Sequence, residues 1–340
     1  MPSSALRIAL VGAGRIGAAH AETIARRVPE ADLVAVVDPR PGAADAVAAP
    51  LGARGETSVE AVLAAPDVDA VVVAASSSAH AELIGAAAAA GKHVFSEKPA
   101  GMTLAEIDGA RRATAAAGVA FQVGFNRRFA REFVEARALI ADGHLGEVRQ
   151  LRSLTRDPGR GPADPDAVPE WTIFTQTLIH DFDTLNWLNP GARAVDVVAT
   201  AGSLTAPGHP TLLDHATVVV RYDNGAIGTA EASFAAVHGY DVRGEVLGSE
   251  GMVTMGDGAR SSLRVHDGAG RRAATSHSDT DLLADAYAAE FAELAHAVAQ
   301  GRAPSVGGDD AWAAFAIAQA CIDSMTSGGR VAVSQPGSGA

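Results

Sequence analysis

The stretch Leu6-Arg7-Ile8-Ala9-Leu10-Val11-Gly12-Ala13-Gly14-Arg15-Ile16-Gly17 decides the fold. Six largely apolar residues of strand length run into a GxGxxG turn, and Ala18 to Arg27 follows with alanine-rich helical texture. In that context each glycine has a task. The first permits a tight turn, the second lets backbone approach a pyrophosphate, and the third lets the helix pack on the strand with its amino end facing the anion. A second strand, Asp32 to Val37, closes on Asp38, where a carboxylate can accept hydrogen bonds from adenosine ribose hydroxyls. A carboxylate there repels a 2′-phosphate, so NAD is expected over NADP. Arg40 can stack on adenine or meet such a phosphate. The cofactor-binding set is therefore Gly12, Gly14, Arg15, Ile16, Gly17, Asp38 and Arg40, with Ser76 and Glu97 at later strand ends.

Outward from that turn the alternation continues. Helices are expected around Ser58 to Ala64, Ala79 to Ala90 and Thr103 to Ala117, and strands at Ala70 to Ala74, His93 to Phe95 and Ala120 to Val123. Continuously apolar strands separated by helices imply a doubly wound parallel sheet covered on both faces, a Rossmann domain over residues 1–124. Ser76-Ser77-Ser78 can cap the helix that follows, with cofactor contact as an added role, and His80 can pack or cap there. After Gly124 the texture changes. A helix from Phe125 to about Asp142 precedes period-two strands at Val148 to Thr155, Val195 to Ala199, Ala216 to Tyr222, Ala226 to Phe234, Asp241 to Leu247 and Leu263 to His266. Helices Asp281 to Gln300 and Asp309 to Thr326 close the chain. This predicts an α+β domain over 125–333 with a mostly antiparallel open sheet, then a flexible tail at 334–340. A bare sheet face needs a cover, so a homodimer or homotetramer is expected.

Bulk properties narrow the function. A chain of 340 residues suits two domains. A net charge of -13 and scattered arginine pairs argue against a nucleic-acid partner. Met1 to Ala5 lacks the regions of a signal peptide and no apolar run spans a bilayer, so no membrane association is expected and the cytoplasm is the expected location. The single cysteine, Cys321, lies in an apolar helical pattern and reads as core. Asp214-His215 and His180-Asp181 offer ligand atoms, but their spacing makes no recognised zinc cluster, and no metal is expected.

The chain holds 25 arginines and only two lysines, Lys92 and Lys98. Where arginine is the default cation, a lysine at the carboxyl end of a strand, in Val94-Phe95-Ser96-Glu97-Lys98-Pro99, suggests a need for a compact ammonium with an adjustable pKa. The alternative is a plain loop lysine, which is the reading for Lys92.

With the glycine turn, Asp38 and Glu97-Lys98-Pro99 in place, the chain resembles the glucose-fructose oxidoreductase / inositol dehydrogenase / MocA family. Gly124-Phe125-Asn126-Arg127-Arg128-Phe129 is similar to a GFxRR stretch of inositol dehydrogenases. Ile179-His180-Asp181-Phe182-Asp183 is similar to their catalytic IHDxD segment. The strand Gly239 to Ser249 and the triplet Asp285-Ala286-Tyr287 match further motifs. The resemblance implies an NAD-dependent dehydrogenase in which His180 takes a proton from a secondary alcohol while Lys98 stabilises charge on the same oxygen. It also implies polyol or sugar contacts from Arg127, Asp157 and Tyr287, each of which can instead be a surface ion pair or a core phenol; Trp171, outside the family pattern, is expected to add a bulkier wall to the substrate site. One departure stands out. Four residues before the histidine the family usually carries aspartate, and this chain has Gln176. An adjacent aspartate favours imidazolium by roughly one to three pKa units, so a weaker base at His180 and altered specificity around Trp171 and Gln176 are expected. A cofactor-binding member with little turnover, acting in recognition or regulation, is the alternative.

Overall fold

The computed structural model describes residues 5–159, 168–205 and 212–336. The chain divides into two compact units, one of residues 1–129 with 284–312 and the other of 130–283 with 313–340. This differs from a single boundary after residue 124. The late helix Ala284–Gln300 joins the first unit because Phe291, Leu294 and Ala295 bury themselves in its core, where Phe291 meets Phe95 at a centroid distance of 4.8 Å. An amphipathic pattern predicts that such a helix is buried, but not against which unit.

In the first unit β1 (Leu6–Val11), α1 (Arg15–Arg27), β2 (Ala31–Val37), α2 (Ala43–Ala48), β3 (Arg54–Glu56), α3 (Val59–Leu63), β4 (Ala70–Val73), α4 (His80–Ala89), β5 (His93–Ser96), α5 (Leu104–Ala117) and β6 (Phe121–Val123) alternate. The six strands form one parallel sheet in the order β3-β2-β1-β4-β5-β6. Chain order reverses between β1 and β4, the place where open α/β sheets bind ligands. Every residue of β4 is buried, which explains its unbroken valines. Local chemistry starts and stops the helices. Thr103 Oγ1 accepts the Glu106 N–H at 3.1 Å while Glu106 accepts the Met102 N–H, and Gly118 ends α5 at φ 67°.

The second unit begins with α6 (Arg131–Ala141) and β7 (Val148–Arg156), then α7 (Leu178–Trp187), β8 (Ala194–Gly202), β9 (His215–Tyr222), β10 (Ile227–Ser233), β11 (Asp241–Gly248) and β12 (Met252–Met255). With the final strand Val331–Ala332 these form a seven-stranded sheet in which only β7 and β10 run parallel. Along β9, buried Val218, Val220 and Tyr222 alternate with exposed Thr217, Val219 and Arg221, so one face is packed and the other open.

Two expectations change here. The strand expected at Leu263 to His266 lies instead at Val265–Asp267, in a separate hairpin with Gly270–Arg272. The tail expected to loosen at 334 is still held at Gln335, whose side-chain amide donates to Ala194 O, because the final strand has just added itself to β8. Residues 337–340 lie outside the described residues. Cys321 is fully buried, and burial pushes its thiol well above the ordinary range. Among the described residues no helix is long and apolar enough to cross a membrane.

Candidate active site

In the first unit the candidate residues begin at the turn after β1. Gly12 has φ 108°, and a Cβ there would lie 2.5 Å from Ala74 O. At Gly17 a Cβ would lie 1.8 Å from Gly12 O, so only glycine lets α1 approach the strand. Gly14 differs: no atom lies within 4 Å of its Cβ position, and it stands at the amino end of α1 without any side-chain cap. The turn is thus braced at two glycines and open at the third, at the amino end of a helix, the arrangement a pyrophosphate needs. Arg15 is exposed and Ile16 half-buried beside it. The residues present fit a dinucleotide.

Asp38, at the end of β2, is buried and its carboxylate is occupied. It accepts the Ala13 N–H at 2.9 Å and is gripped by Arg40 through Nε and a terminal nitrogen, both at 2.9 Å. The Arg40 hydrogen bonds and charge hold the Asp38 carboxyl well below the usual range, against the opposing effect of burial. In this structure Arg40 therefore serves Asp38, a partner the sequence reading did not consider. Ser76 does not cap the turn before α4; its Oγ lies 3.5 Å from Ser78 Oγ. His80 sets both ring nitrogens against carbonyls, Pro99 O at 2.8 Å and Ala75 O at 3.1 Å, tying together the loops that follow β4 and β5.

Lys98 sits half-buried one residue past Glu97, directly after β5. Glu97 faces inward: its carboxylate meets His20 Nε2 at 2.7 Å and accepts the Lys98 backbone N–H at 3.2 Å. Lys92, read as a plain loop lysine, donates to Ala65 O and Val68 O. Arg127 and Tyr287 both belong to this first unit and both are buried; Tyr287 OH accepts a hydrogen bond from Asn126 at 3.1 Å.

In the second unit the candidate residues lie on and around α7. His180 stands in its first turn, half-buried, with Gln176 four residues earlier in a π-helical turn, Ile173–Thr177. Residues at that spacing share a helix face. Wide turns of this kind recur at functional sites. The turn starts from Trp171, whose φ of 63° is unusual for a bulky side chain and whose ring stacks on Phe174 at 6.2 Å. Asp181, considered above only as a ligand, is fully buried and accepts Ser153 Oγ at 2.6 Å and Thr155 Oγ1 at 2.7 Å. Those bonds pin α7 to β7 and fix the rotation at which His180 leaves the helix. Asp157 continues from β7, half-buried, its N–H donating to Ser233 O.

Asp214, His215 and Ser233 line up as acid, imidazole and hydroxyl, with Oδ1 to Nδ1 at 2.7 Å and Nε2 to Oγ at 3.1 Å. Ser233 is buried and its Oγ also accepts the Ala235 N–H, so the row ties the start of β9 to the end of β10 and presents no accessible nucleophile. Among the described residues there is no group of three or more His, Cys, Asp or Glu that could hold a metal ion.

Residues 6–125 match the profile of the oxidoreductase family with an NAD-binding Rossmann fold, and residues 133–254 match the GFO/IDH/MocA C-terminal domain. The chain belongs to the Gfo/Idh/MocA oxidoreductase family. Within it, the chain is 35% identical over 323 residues to an inositol 2-dehydrogenase of Rhizobium meliloti, covering 94% of this chain and 97% of that protein. It is 33% identical over 334 residues to a scyllo-inositol 2-dehydrogenase (NAD(+)) of Bacillus subtilis, covering 95% of each. Among solved structures, scyllo-inositol dehydrogenase from Lactobacillus casei with bound NAD(H) and scyllo-inositol superposes with a TM-score of 0.91 at 26% identity, covering 98% of this chain and all, 100%, of that one. The chain is thus an inositol dehydrogenase-like member of the family with an NAD-binding Rossmann domain.

Proposed function

We propose that this protein is an NAD-dependent dehydrogenase that oxidises a secondary hydroxyl of a cyclitol, sugar or related polyol. NAD, when bound, supplies the hydride acceptor. The chain's own residues do the rest. His180 Nε2 or Nδ1 receives the hydroxyl proton, and Lys98 Nζ donates a hydrogen bond to the same oxygen as negative charge develops on it. Arg127, Asp157, Trp171 and Tyr287 contact the remaining hydroxyls and the ring. The observation that carries this reading is the open Gly14 turn followed, at the end of β5, by the chain's Lys98, in a sequence alignable with inositol dehydrogenases over nearly their whole length. Apolar side chains on the open sheet face, among them Val198, Val219 and Met252, support association of subunits through that face.

Gln176 favours a second reading, a cofactor-binding member with little turnover, because an amide cannot supply the field of an aspartate beside His180. A panel of inositols and sugars assayed at 340 nm with NAD and NADP separates the two. Turnover of a polyol with NAD supports the dehydrogenase; NAD binding with no absorbance change on any substrate supports the second reading. In the dehydrogenase, Gln176→Asp raises kcat by about tenfold or more, one pKa unit of added stabilisation at the imidazolium.

A further inference from the structure

Behind Lys98 lies a buried group of ionisable side chains that the proposed chemistry does not use. His20 projects from α1 and is 1% exposed, its ring held edge-on by Phe95, Tyr287 and Phe291 at centroid distances of 6.0, 5.3 and 5.0 Å. Its Nε2 lies 2.7 Å from Glu97 Oε1. Glu97 is clamped in turn: its N–H donates to Val73 O at 2.8 Å, its carbonyl accepts Ser96 Oγ at 2.8 Å, and its Oε2 accepts the Lys98 N–H. Gly124 faces it, where a Cβ would come within 3.3 Å of Oε1.

We propose that His20 is a positioning residue for Lys98, acting through the Glu97 carboxylate, which fixes the backbone turn of Lys98 and places a counter-charge beside its ammonium. This rests on the dehydrogenase reading for the use made of Lys98, but the arrangement itself does not.

Charge decides why histidine is needed. A carboxylate this buried would by itself rise in pKa and take a proton. Burial does push Glu97 up, but the His20 hydrogen bond, with the charges of His20, Lys98 and His80, outweighs it and holds Glu97 below its usual value. The neighbouring acid goes the other way. Glu290, on the helix Ala284–Gln300, is fully buried with neither carboxyl oxygen hydrogen-bonded, and burial together with the Glu97 charge raises it well above its usual value. Burial and the Glu97 charge thus favour the proton on Glu290, while the His20 hydrogen bond favours the negative charge on Glu97, next to the lysine. Removing the His20 donor leaves Glu97 to protonate, and the Lys98 ammonium loses its counter-charge.

Because the chain has only two lysines, this is measurable without any substrate. Trace acylation of the full-length protein with acetic anhydride across pH, read by mass spectrometry, reports the titration midpoint of Lys98 with Lys92 as internal reference. In His20→Phe and in Glu97→Gln the Lys98 midpoint falls by about one pH unit or more, the effect of losing an adjacent opposite charge, while Lys92 does not move. His20→Gln, which restores an N–H donor near the Nε2 position, returns the midpoint toward wild type, and the double variant His20→Phe/Glu97→Gln shifts no further than either single one. An unmoved Lys98 midpoint in the Glu97→Gln protein, or equal shifts at Lys92, overturns the proposal. On any polyol that is turned over, His20→Phe lowers kcat about 10- to 100-fold, as for loss of a supporting hydrogen bond, with the KM for NAD unchanged. If labelling behaves as stated but no polyol is oxidised, the functional reading fails and the positioning role stands.

Discussion

Gly14→Ala separates cofactor binding from folding more cleanly than any other single change in the first unit. The Gly14 backbone sits at φ −77° and ψ −172°, which alanine adopts freely, and the added Cβ would meet no protein atom within 4 Å. Two small effects on stability oppose each other. Alanine is a poorer N-cap than glycine by about 0.5–1 kcal/mol, and it removes about as much conformational entropy from the unfolded chain. The thermal midpoint is therefore expected to stay within about 2 °C of wild type. Binding is another matter, because the methyl occupies the space through which a pyrophosphate reaches the helix amino end. A loss of about 1–3 kcal/mol, or roughly 5- to 150-fold in NADH affinity, is expected from the displaced backbone contacts. Gly17→Ala provides the contrast: its Cβ would overlap Gly12 O at 1.8 Å, so α1 must move and the thermal midpoint must drop. NADH fluorescence titration and thermal unfolding of both variants are the assays. Unchanged NADH affinity in Gly14→Ala with an intact fold would refute the assignment of this turn to the pyrophosphate.

Asp181→Ala removes the acceptor of two buried hydrogen bonds and is expected to destabilise the protein by about 3–5 kcal/mol in urea titration, with Asp181→Asn intermediate. Acid stability should reflect Asp214. Burial pushes its carboxyl up, but hydrogen bonds from His215, Thr205 and the Leu204 backbone outweigh that and lower it from 3.8 to about 2. The stabilisation from this depressed pKa is fully present above about pH 4 and disappears as pH falls through about 2; it amounts to roughly 2 kcal/mol. Asp214→Asn should accordingly flatten the stability profile between pH 4 and pH 2 in denaturant titrations. Asp38→Ser releases Arg40 and removes the charge facing a 2′-phosphate, so the NADP-to-NAD affinity ratio should rise at least about tenfold by fluorescence titration.

What could be read from sequence was what depends on near neighbours. Gly12, Gly14 and Gly17 declare their turn because strand, turn and helix are contiguous, and Asp38 follows at a characteristic distance. The exposed and buried alternation of β9 is likewise a local property. The helix carrying His180 was not anticipated because it opens with a left-handed Trp171 and a widened turn, which produce neither a capping residue nor a clean 3.6-residue period. Contacts between distant segments were equally silent. Nothing near His20 in the chain indicates Glu97, and nothing near Asp181 indicates Ser153 and Thr155. The Asp38–Arg40 pair was within reach of the sequence, since two residues along an extended end bring a carboxylate and a guanidinium together.

The parallel pairing of β7 with β10 bears on how the second unit is made. Strand β7 is flanked by β10 on one side and β11 on the other. During synthesis from the amino terminus, β7 emerges with both edges bare and stays so until the ribosome has passed Ile227 and then Asp241. A chain arrested between those points carries a naked central strand, a ready template for pairing with another molecule. Fragments ending before Gly248 should therefore aggregate, whereas stalling inside residues 1–129 leaves that hazard absent because β7 has not yet been made.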